Sequence, residues 1–171
     1  MKRWSGARKK LEQDYLAPSL RGHVQYYVTS YSYSPDHSGR AAIRLNGREL
    51  LRGCYWNHWL RADEFPVSTS DSERGDLTWF APNETSLALG SFDQYTFYHA
   101  FEAFDNQSIE ASLASENLLV RIFAVMDRRV GKRRLLAMRE SIGQEPEQFR
   151  RFYAIRAAAE GLDVPEGSGE V

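Results

Sequence analysis

The chain has 171 residues, of which 42% are hydrophobic and 26% charged, a composition typical of one soluble globular domain with a sizeable core. Its formal net charge of −1 excludes a global field that would attract nucleic acid or an anionic membrane. Cys54 is the single cysteine, so no intrachain disulfide can form, which fits a reducing compartment. Without a membrane-length apolar run or the apolar stretch of a signal peptide, we expect a cytoplasmic protein with no membrane association.

The charges are distributed unevenly along the chain. Residues 1–10 contain five basic residues and no acid, and residues 75–120 contain seven acids and no Lys or Arg. Residues 121–139 then contain seven basic residues against the single acid Asp127. Such segregation predicts either internal pairing between neighbouring segments or a local charged surface.

The N-terminal part of the chain predicts a helix followed by a strand. Apolar and aromatic side chains at helical spacing indicate a short helix over Trp4–Tyr15, which Pro18 ends. The β-branched and aromatic segment His23–Tyr33 predicts a strand, and Ser34–Gly39 has the composition of a turn.

Residues 40–56 predict a β-hairpin. Asn46-Gly47 accepts the positive φ angles of a type I′ turn between two strands, Arg40–Leu45 and Arg48–Trp56. A two-residue loop fixes the register, so Leu45 is expected to face Arg48, Arg44 to face Glu49, and Ile43 to face Leu50.

The segment after the hairpin is less regular. Tyr55–Leu60 is rich in aromatic residues and either extends the strand or turns over the sheet. Pro66–Gly75 has the composition of an exposed loop, and Leu77–Phe80 predicts a short fourth strand.

From residue 91 onward the pattern becomes helical. Ser91 and Gln94 form a capping box for a helix that runs to about Phe104, and Ser108–Leu113 predicts a short helical turn. Ser115 is expected to cap a longer helix whose apolar stripe is continuous; the stripe consists of Leu119, Ile122, Phe123, Met126 and Val130.

Gly131 is predicted to interrupt this long helix. A straight helix would place Leu135 far from the apolar stripe, and a helix-interior glycine costs about 1 kcal/mol relative to alanine. We therefore expect Gly131 to end the helix in a left-handed conformation, with Arg128 and Arg129 in its last turn. A new stripe, Leu135, Met138 and Ile142, follows.

The chain closes with one more helix. Pro146 opens it and Gly161 ends it, and the inner side is expected to hold Phe149, Phe152, Tyr153 and Arg156. The expected fold is α+β: an N-terminal helix, a three- to four-stranded antiparallel sheet, then four to five helices on one face. We expect residues 1–161 to form one domain (sheet part about 20–80, helical part about 91–161) and residues 162–171 to form a disordered tail.

Several short motifs carry a family resemblance. They include Pro18–Gly22, Gly39-Arg40-Ala41, Ala159-Glu160-Gly161 and, most specifically, D-R-R-x-G-K-R-x-L beginning at Asp127. With these motifs the chain, from Trp4 to Gly161, resembles a conserved family of uncharacterised bacterial proteins. The resemblance implies one intact domain and supplies no activity.

The basic corner, defined here as Asp127, Arg128, Arg129, Lys132, Arg133 and Arg134 around Gly131, is the main functional candidate. Guanidinium groups match phosphate oxygens in bidentate geometry, and clustered Lys and Arg is the usual footprint of nucleic-acid binding. We therefore predict a non-enzymatic interaction module that contacts an anionic partner, either an acidic protein surface or a nucleic-acid backbone. In the alternative, acids of residues 75–120 and Asp127 neutralise the corner internally.

A second functional hypothesis is a small enzyme acting on a phosphorylated ligand. The phosphate would be bound by Arg128, Arg129, Lys132 and Arg133. Asp127 or His99 would act as the general acid or base. The motif is not a P-loop, because it lacks the upstream glycine and the Gly-Lys-Ser/Thr order and follows a helix.

Other candidate chemistry is weaker. Trp56, His58, Trp59 and the strand tyrosines could stack on a base or a sugar, although aromatic residues on a small sheet are more often core. The histidines have no metal-ligand spacing, so neither a metal nor a cofactor is expected. Cys54 in a predicted strand indicates a buried, inert thiol.

Overall fold

The computed structural model describes residues 3–33, 37, 39–54 and 82–163. Over these residues, an N-terminal helical segment precedes a three-stranded antiparallel sheet, and six α-helices and a 3-10 turn, Ile142–Gln144, follow it. The predicted α+β class is therefore confirmed. Within the same residues no helix is long and apolar enough to cross a membrane.

The N-terminal helix has the predicted extent but changes its winding. Helix α1 (Trp4–Lys9) continues directly into a π-helical segment, Lys10–Tyr15. Leu16 N donates to Leu11 O at 3.0 Å, the five-residue spacing of a π turn. A short 3-10 turn, Pro18–Leu20, then leads to the sheet.

The sheet consists of strands β1 (Val24–Ser30), β2 (Gly39–Leu45) and β3 (Arg48–Cys54) in the order β1-β2-β3. Strand β1 is shorter at both ends than the predicted His23–Tyr33. Alternate side chains turn one face of the sheet toward the helices, where Tyr26 meets Phe123 at a ring separation of 5.6 Å.

The hairpin turn forms as predicted, but the pairing of its two strands departs from the prediction at Ile43, three residues before the turn. Asn46 and Gly47 have φ angles of 50° and 82°, and the pairs Leu45–Arg48 and Arg44–Glu49 are confirmed. The predicted Ile43–Leu50 pair is wrong, because a bulge between Ile43 and Arg44 places Ile43 opposite Leu51.

The bulge has a physical reason in two consecutive leucines. Neighbouring side chains of a regular strand point to opposite faces, so Leu50 and Leu51 could not both face the core. An extra residue at a bulge removes this restriction. Leu50 and Leu51 are accordingly both buried, with 8% and 3% of their surfaces exposed.

Several predictions fall on residues that the structure does not describe. These are the aromatic segment 55–60, the loop 66–75, the fourth strand 77–80 and most of the turn 34–39.

Of the first two helices that follow β3 in the described part of the chain, only the second was predicted. Helix α2 (Glu84–Leu89) begins at a capping box formed by Asn83 and Ser86 and ends at Gly90, whose φ angle is 67°. Helix α3 (Gln94–Asp105) is capped by Asp93, whose carboxylate accepts from Thr96 N. The predicted Ser91–Gln94 capping box is therefore wrong, because a carboxylate directly before the helix provides the cap.

The central helix is α5 (Leu118–Val125), preceded by α4 (Ile109–Leu113), which begins at Ser108 as predicted. Every residue of α5 except Arg121 is buried, and the whole predicted apolar stripe lies in the core. The predicted cap, Ser115, is wrong: Asn117 Oδ1 accepts from Leu119 N at 3.0 Å and Val120 N at 3.4 Å. The Ser115 hydroxyl instead accepts from Asn117 N.

The chain does break between the two predicted helices, but Gly131 has a different role. Helix α5 ends at Val125, and Gly131 is the N-cap of α6 (Lys132–Met138) with φ −79° and ψ 169°. The predicted left-handed C-cap is wrong. The helix ends earlier because Met126 O accepts from Ala17 N at 3.0 Å, which draws the chain onto the N-terminal segment.

The last helix, α7 (Glu147–Ala159), begins after Pro146 as predicted. Its predicted inner side is confirmed by the buried residues Phe149, Phe152, Tyr153 and Arg156. Gly161 follows the helix with a φ angle of 72°, and Leu162 still packs against the core. Residues 164–171 lie outside the described part, so the disordered tail stays a prediction.

Candidate anion-binding corner

The basic corner occupies the turn between α5 and α6 and the first turn of α6. The N-terminal segment holds this turn in place through backbone contacts. Arg128 N donates to Tyr15 O at 2.7 Å, and Leu16 forms an isolated antiparallel bridge with Asp127. Arg128 and Arg129 therefore lie beyond α5, and their predicted position in its last turn is wrong.

Asp127 fixes the shape of the turn. Its side chain is fully buried, and Oδ1 accepts from the backbone N of Arg129 at 2.7 Å. Its Oδ2 also accepts from Arg129 Nη2 at 2.7 Å. A carboxylate two residues before a backbone N–H closes an Asx-type turn, so Asp127 acts here as a structural residue.

The backbone N–H and the guanidinium of Arg129 both bind Asp127 within this turn. Its guanidinium lies 4.9 Å from the ring centre of Tyr15 and 5.5 Å from that of Phe104, within the range of cation–π attraction. The hydrogen bond to Asp127 raises the pKa of Arg129 above its ordinary value. Arg129 is thus a paired, stacked cation whose side chain keeps 37% of its surface exposed.

A second layer of polar contacts holds Tyr15 against Arg129. The Tyr15 hydroxyl donates to Asp105 Oδ1 at 2.6 Å, and Lys10 Nζ donates to the same atom at 2.7 Å. Burial and then the bond to Asp105 raise the pKa of Tyr15 to about 12. No local sequence pattern indicates this group, because Asp105 lies 90 residues from Tyr15 in the chain.

Helix α7 supports the corner from the other side. Buried Arg156 donates from Nη2 to Val130 O at 2.9 Å and pairs with Glu160. Its burial lowers the pKa of Arg156. The Tyr153 hydroxyl donates to Leu135 O at 2.7 Å. These two side chains were predicted only as inner residues of α7, not as supports of the corner.

Arg134 is the second paired cation of the corner. Its Nη2 donates to Glu110 Oε1, on α4, at 2.8 Å, and this bond lowers the pKa of Glu110. Glu110 belongs to the acidic segment 75–120, so internal pairing between the two segments occurs at this position.

Three cations of the corner are left over: Arg128, Lys132 and Arg133. All three side chains are exposed, and no carboxylate of the described residues forms an ion pair with them. Lys132 and Arg133 also occupy the first turn of α6, which contains no acid. The helix macrodipole disfavours positive charge there, so the fold itself gains nothing from their placement.

The other candidates from the sequence are metal ligands, His99, Cys54 and an aromatic cluster. Among the residues described, no group of three or more His, Cys, Asp or Glu side chains could hold a metal ion. His99 lies 3.9 Å from Glu102 on the same helix. Cys54 is half-exposed at the end of β3, not fully buried as expected. The aromatic cluster Tyr55–Trp59 lies outside the described residues.

Comparison with known proteins identifies the family of the chain. No curated protein and no solved structure matches the chain. A model of the SF0329 protein family matches residues 3–157, which include the whole basic corner and nearly all of the segment that carries the resemblance. The chain belongs to the SF0329 protein family.

Proposed function

We propose that the protein is a non-enzymatic interaction module that contacts an anionic macromolecule, an acidic protein surface or a nucleic-acid backbone, through Arg128, Lys132 and Arg133. The observation that carries this proposal is that none of the three pairs with an acid among the described residues, in a turn that Asp127, Arg129 and Arg156 hold in place. The protein would therefore present the three charges with little loss of conformational freedom on binding.

The electrostatics of α6 support the same proposal. A charge of the unfavourable sign at a helix end costs about 0.3–1 kcal/mol at low ionic strength. Lys132 and Arg133 occupy such positions without a carboxylate partner in the described part of the chain. Local rules are broken in this way mainly where a residue serves function rather than stability.

The alternative, an enzyme acting on a phosphorylated ligand, loses one of its two proton-transfer candidates. The Asp127 carboxylate is fully buried and is engaged by the backbone and side chain of Arg129. A group so placed cannot reach a ligand at the surface, and the binding module is the better-supported function.

The test is a binding measurement on a charge-neutralised corner. The triple variant Arg128→Gln, Lys132→Gln, Arg133→Gln is compared with wild type by fluorescence anisotropy, using a labelled oligonucleotide and a labelled polyglutamate at several salt concentrations. We expect wild type to bind at least one of these polyanions at low salt and to lose affinity as salt rises. The variant should bind that probe at least tenfold more weakly.

A matched control separates the corner from net charge. The variant Arg3→Gln, Lys9→Gln, Arg48→Gln removes the same number of exposed positive charges elsewhere. It should keep most of the affinity. Equal losses in the two variants, or no binding of either probe at low salt, would contradict the proposal.

A further inference from the structure

Helix α6 carries an exposed leucine beside the unpaired cations of the basic corner. Leu136 keeps 47% of its surface exposed and is one of two large hydrophobic side chains of the described residues that are exposed, the other being Tyr33. Its neighbour Leu135 is fully buried. The core therefore takes up Leu135 and leaves Leu136 at the surface.

Helical spacing places Leu136 next to three positive charges. Lys132 lies four residues before it, Arg133 three residues before it and Arg139 three residues after it, and side chains three or four positions apart are neighbours on a helix. Arg139 keeps helical dihedral angles as the C-cap residue, with φ −54° and ψ −36°. These four residues, all of them exposed, define the α6 face.

The α6 face combines an apolar centre with unpaired charge. None of its three cations forms an ion pair with a carboxylate of the described residues. The aliphatic stems of long cations commonly cover a neighbouring apolar side chain, yet Leu136 stays half-exposed beside three of them. Such a surface is complementary to a ligand that brings both acids and an apolar group.

The α6 face lies beyond the far end of the central helix from the point where the chain re-enters the described structure at Pro82. The Pro82 carbonyl accepts from Leu118 N at 3.2 Å, at the first residue of α5. Helix α6 follows the turn after the last residue of α5, Val125. The exposure of Leu136 therefore belongs to the same end of the molecule as the basic corner.

We propose that the anionic partner of the basic corner is an acidic segment of another protein, which places an apolar side chain on Leu136. This inference rests on the proposed function and selects one of its two classes of partner. Contacts to a nucleic-acid backbone go to phosphates and sugars, which offer Leu136 no apolar surface. A protein segment brings carboxylates for the cations and an apolar residue for the leucine.

A negative charge next to the α6 face favours the same partner. Glu140 is exposed and directly follows Arg139. A phosphate backbone carries a negative charge at every nucleotide and would bring one close to this carboxylate. A protein segment avoids the repulsion by ending its acids before Glu140 or by placing a basic residue there. Facing charges of one sign select against a partner in this way.

The experiment compares two labelled peptides of equal length and charge by fluorescence anisotropy at low salt. Both consist of glutamate, with leucine at every third position in one and serine in its place in the other. Wild type should bind the leucine peptide about tenfold more tightly, because apolar groups buried at Leu136 add to the affinity. Leu136→Gln should reduce this preference to about twofold and leave the affinity for the serine peptide unchanged.

Leu136→Met is the matched control, because methionine keeps an apolar side chain of similar volume and helix propensity. It should retain the preference for the leucine peptide. Urea unfolding of both variants should match that of wild type, since substitutions at exposed positions rarely change stability. Equal affinities of wild type for the two peptides, or an equal loss of preference in the two variants, would refute the inference.

A labelled oligonucleotide of the same net charge separates this inference from the proposed function. We expect it to bind more weakly than the leucine peptide. Tighter binding of the oligonucleotide, lost in the triple corner variant, would overturn this inference and leave the proposed function standing. Absence of binding by all three probes would overturn both. Self-association of wild type in sedimentation, abolished by Leu136→Gln, would identify a second copy of the chain as the occupant and overturn the inference.

Discussion

The two halves of the basic corner differ although they adjoin in the chain. Arg129 and Arg134 each pair with a carboxylate of the protein, Asp127 and Glu110, whereas Lys132 and Arg133 between them are exposed and have no such partner in the described structure. A cluster of positive charge in a sequence is therefore not one feature. Only the cations that the fold leaves unpaired can serve a partner.

The two explanations of the charge pattern apply differently to the cations that the structure describes. Internal pairing accounts for Arg134, whose partner Glu110 comes from the acidic segment. Internal pairing does not account for Arg128, Lys132 or Arg133, because none of them forms an ion pair with a described carboxylate. Substitution of Arg129 or Arg134 should therefore change the stability of the fold. Substitution of Arg128, Lys132 or Arg133 should instead change the affinity for a partner.

The largest effect should follow the loss of Asp127. Asp127→Ala removes a fully buried carboxylate and leaves the Arg129 backbone N–H without its acceptor, so we expect a loss of about 2–4 kcal/mol in the free energy of unfolding. Asp127→Asn keeps an acceptor oxygen and should lose less. Urea unfolding at neutral pH measures both, and a change below about 0.5 kcal/mol for Asp127→Ala would contradict the structural role.

Tyr15→Phe should have an intermediate effect that depends on pH. It removes the hydroxyl that donates to Asp105 at 2.6 Å, for an expected loss of about 1 kcal/mol near pH 8. The pKa of Tyr15 rises from 10 in a free tyrosine to about 12 on folding. Because the folded state holds this proton more tightly, the stabilisation is complete below pH 10 and decreases as the pH rises toward 12.

The stability difference between wild type and Tyr15→Phe should therefore shrink from pH 9 to pH 11.5, as measured by urea unfolding. A difference for Tyr15→Phe that stays constant over this range would show that the hydroxyl is not held as described.

Gly131→Ser should have a small effect. Gly131 has a φ angle of −79°, and a Cβ atom there would meet nothing within 4 Å. Since serine is a good N-cap residue, we expect a change of no more than about 0.5 kcal/mol, toward greater stability. A thermal or urea unfolding experiment showing a loss above about 1 kcal/mol would instead support the left-handed glycine that the sequence predicted.

The fold was predictable where one local pattern dominated. The Asn46-Gly47 pair determined the hairpin turn, and the stripe from Leu119 to Val130 identified the central buried segment. The turn alone does not indicate the bulge, because its register implies a regular ladder, whereas the bulge follows from the burial of both Leu50 and Leu51. The helix caps of α3 and α5 were misplaced because polar residues compete within a few positions, and Asp93 and Asn117 provide the caps.

The residues of the candidate site were predictable from the sequence, but which of its cations are paired with a carboxylate was not. The charge density around Gly131 is visible in the sequence, and so is the chance that Asp127 holds an arginine. Of the two contacts that pair a cation of the corner, only the one between Asp127 and Arg129 is local, whereas the one between Arg134 and Glu110 joins residues 24 positions apart. Periodicity and composition carry no information about such pairs.

The difference between paired and unpaired cations is tested most directly by the free energy of unfolding at low ionic strength. The variant to measure is the triple variant Arg128→Gln, Lys132→Gln, Arg133→Gln. Because these cations have no internal partner in the described structure and two oppose the dipole of α6, we predict a stability equal to that of wild type or higher by up to about 1 kcal/mol. A loss of more than about 1.5 kcal/mol would contradict the account, because it would mean that the fold itself uses these charges.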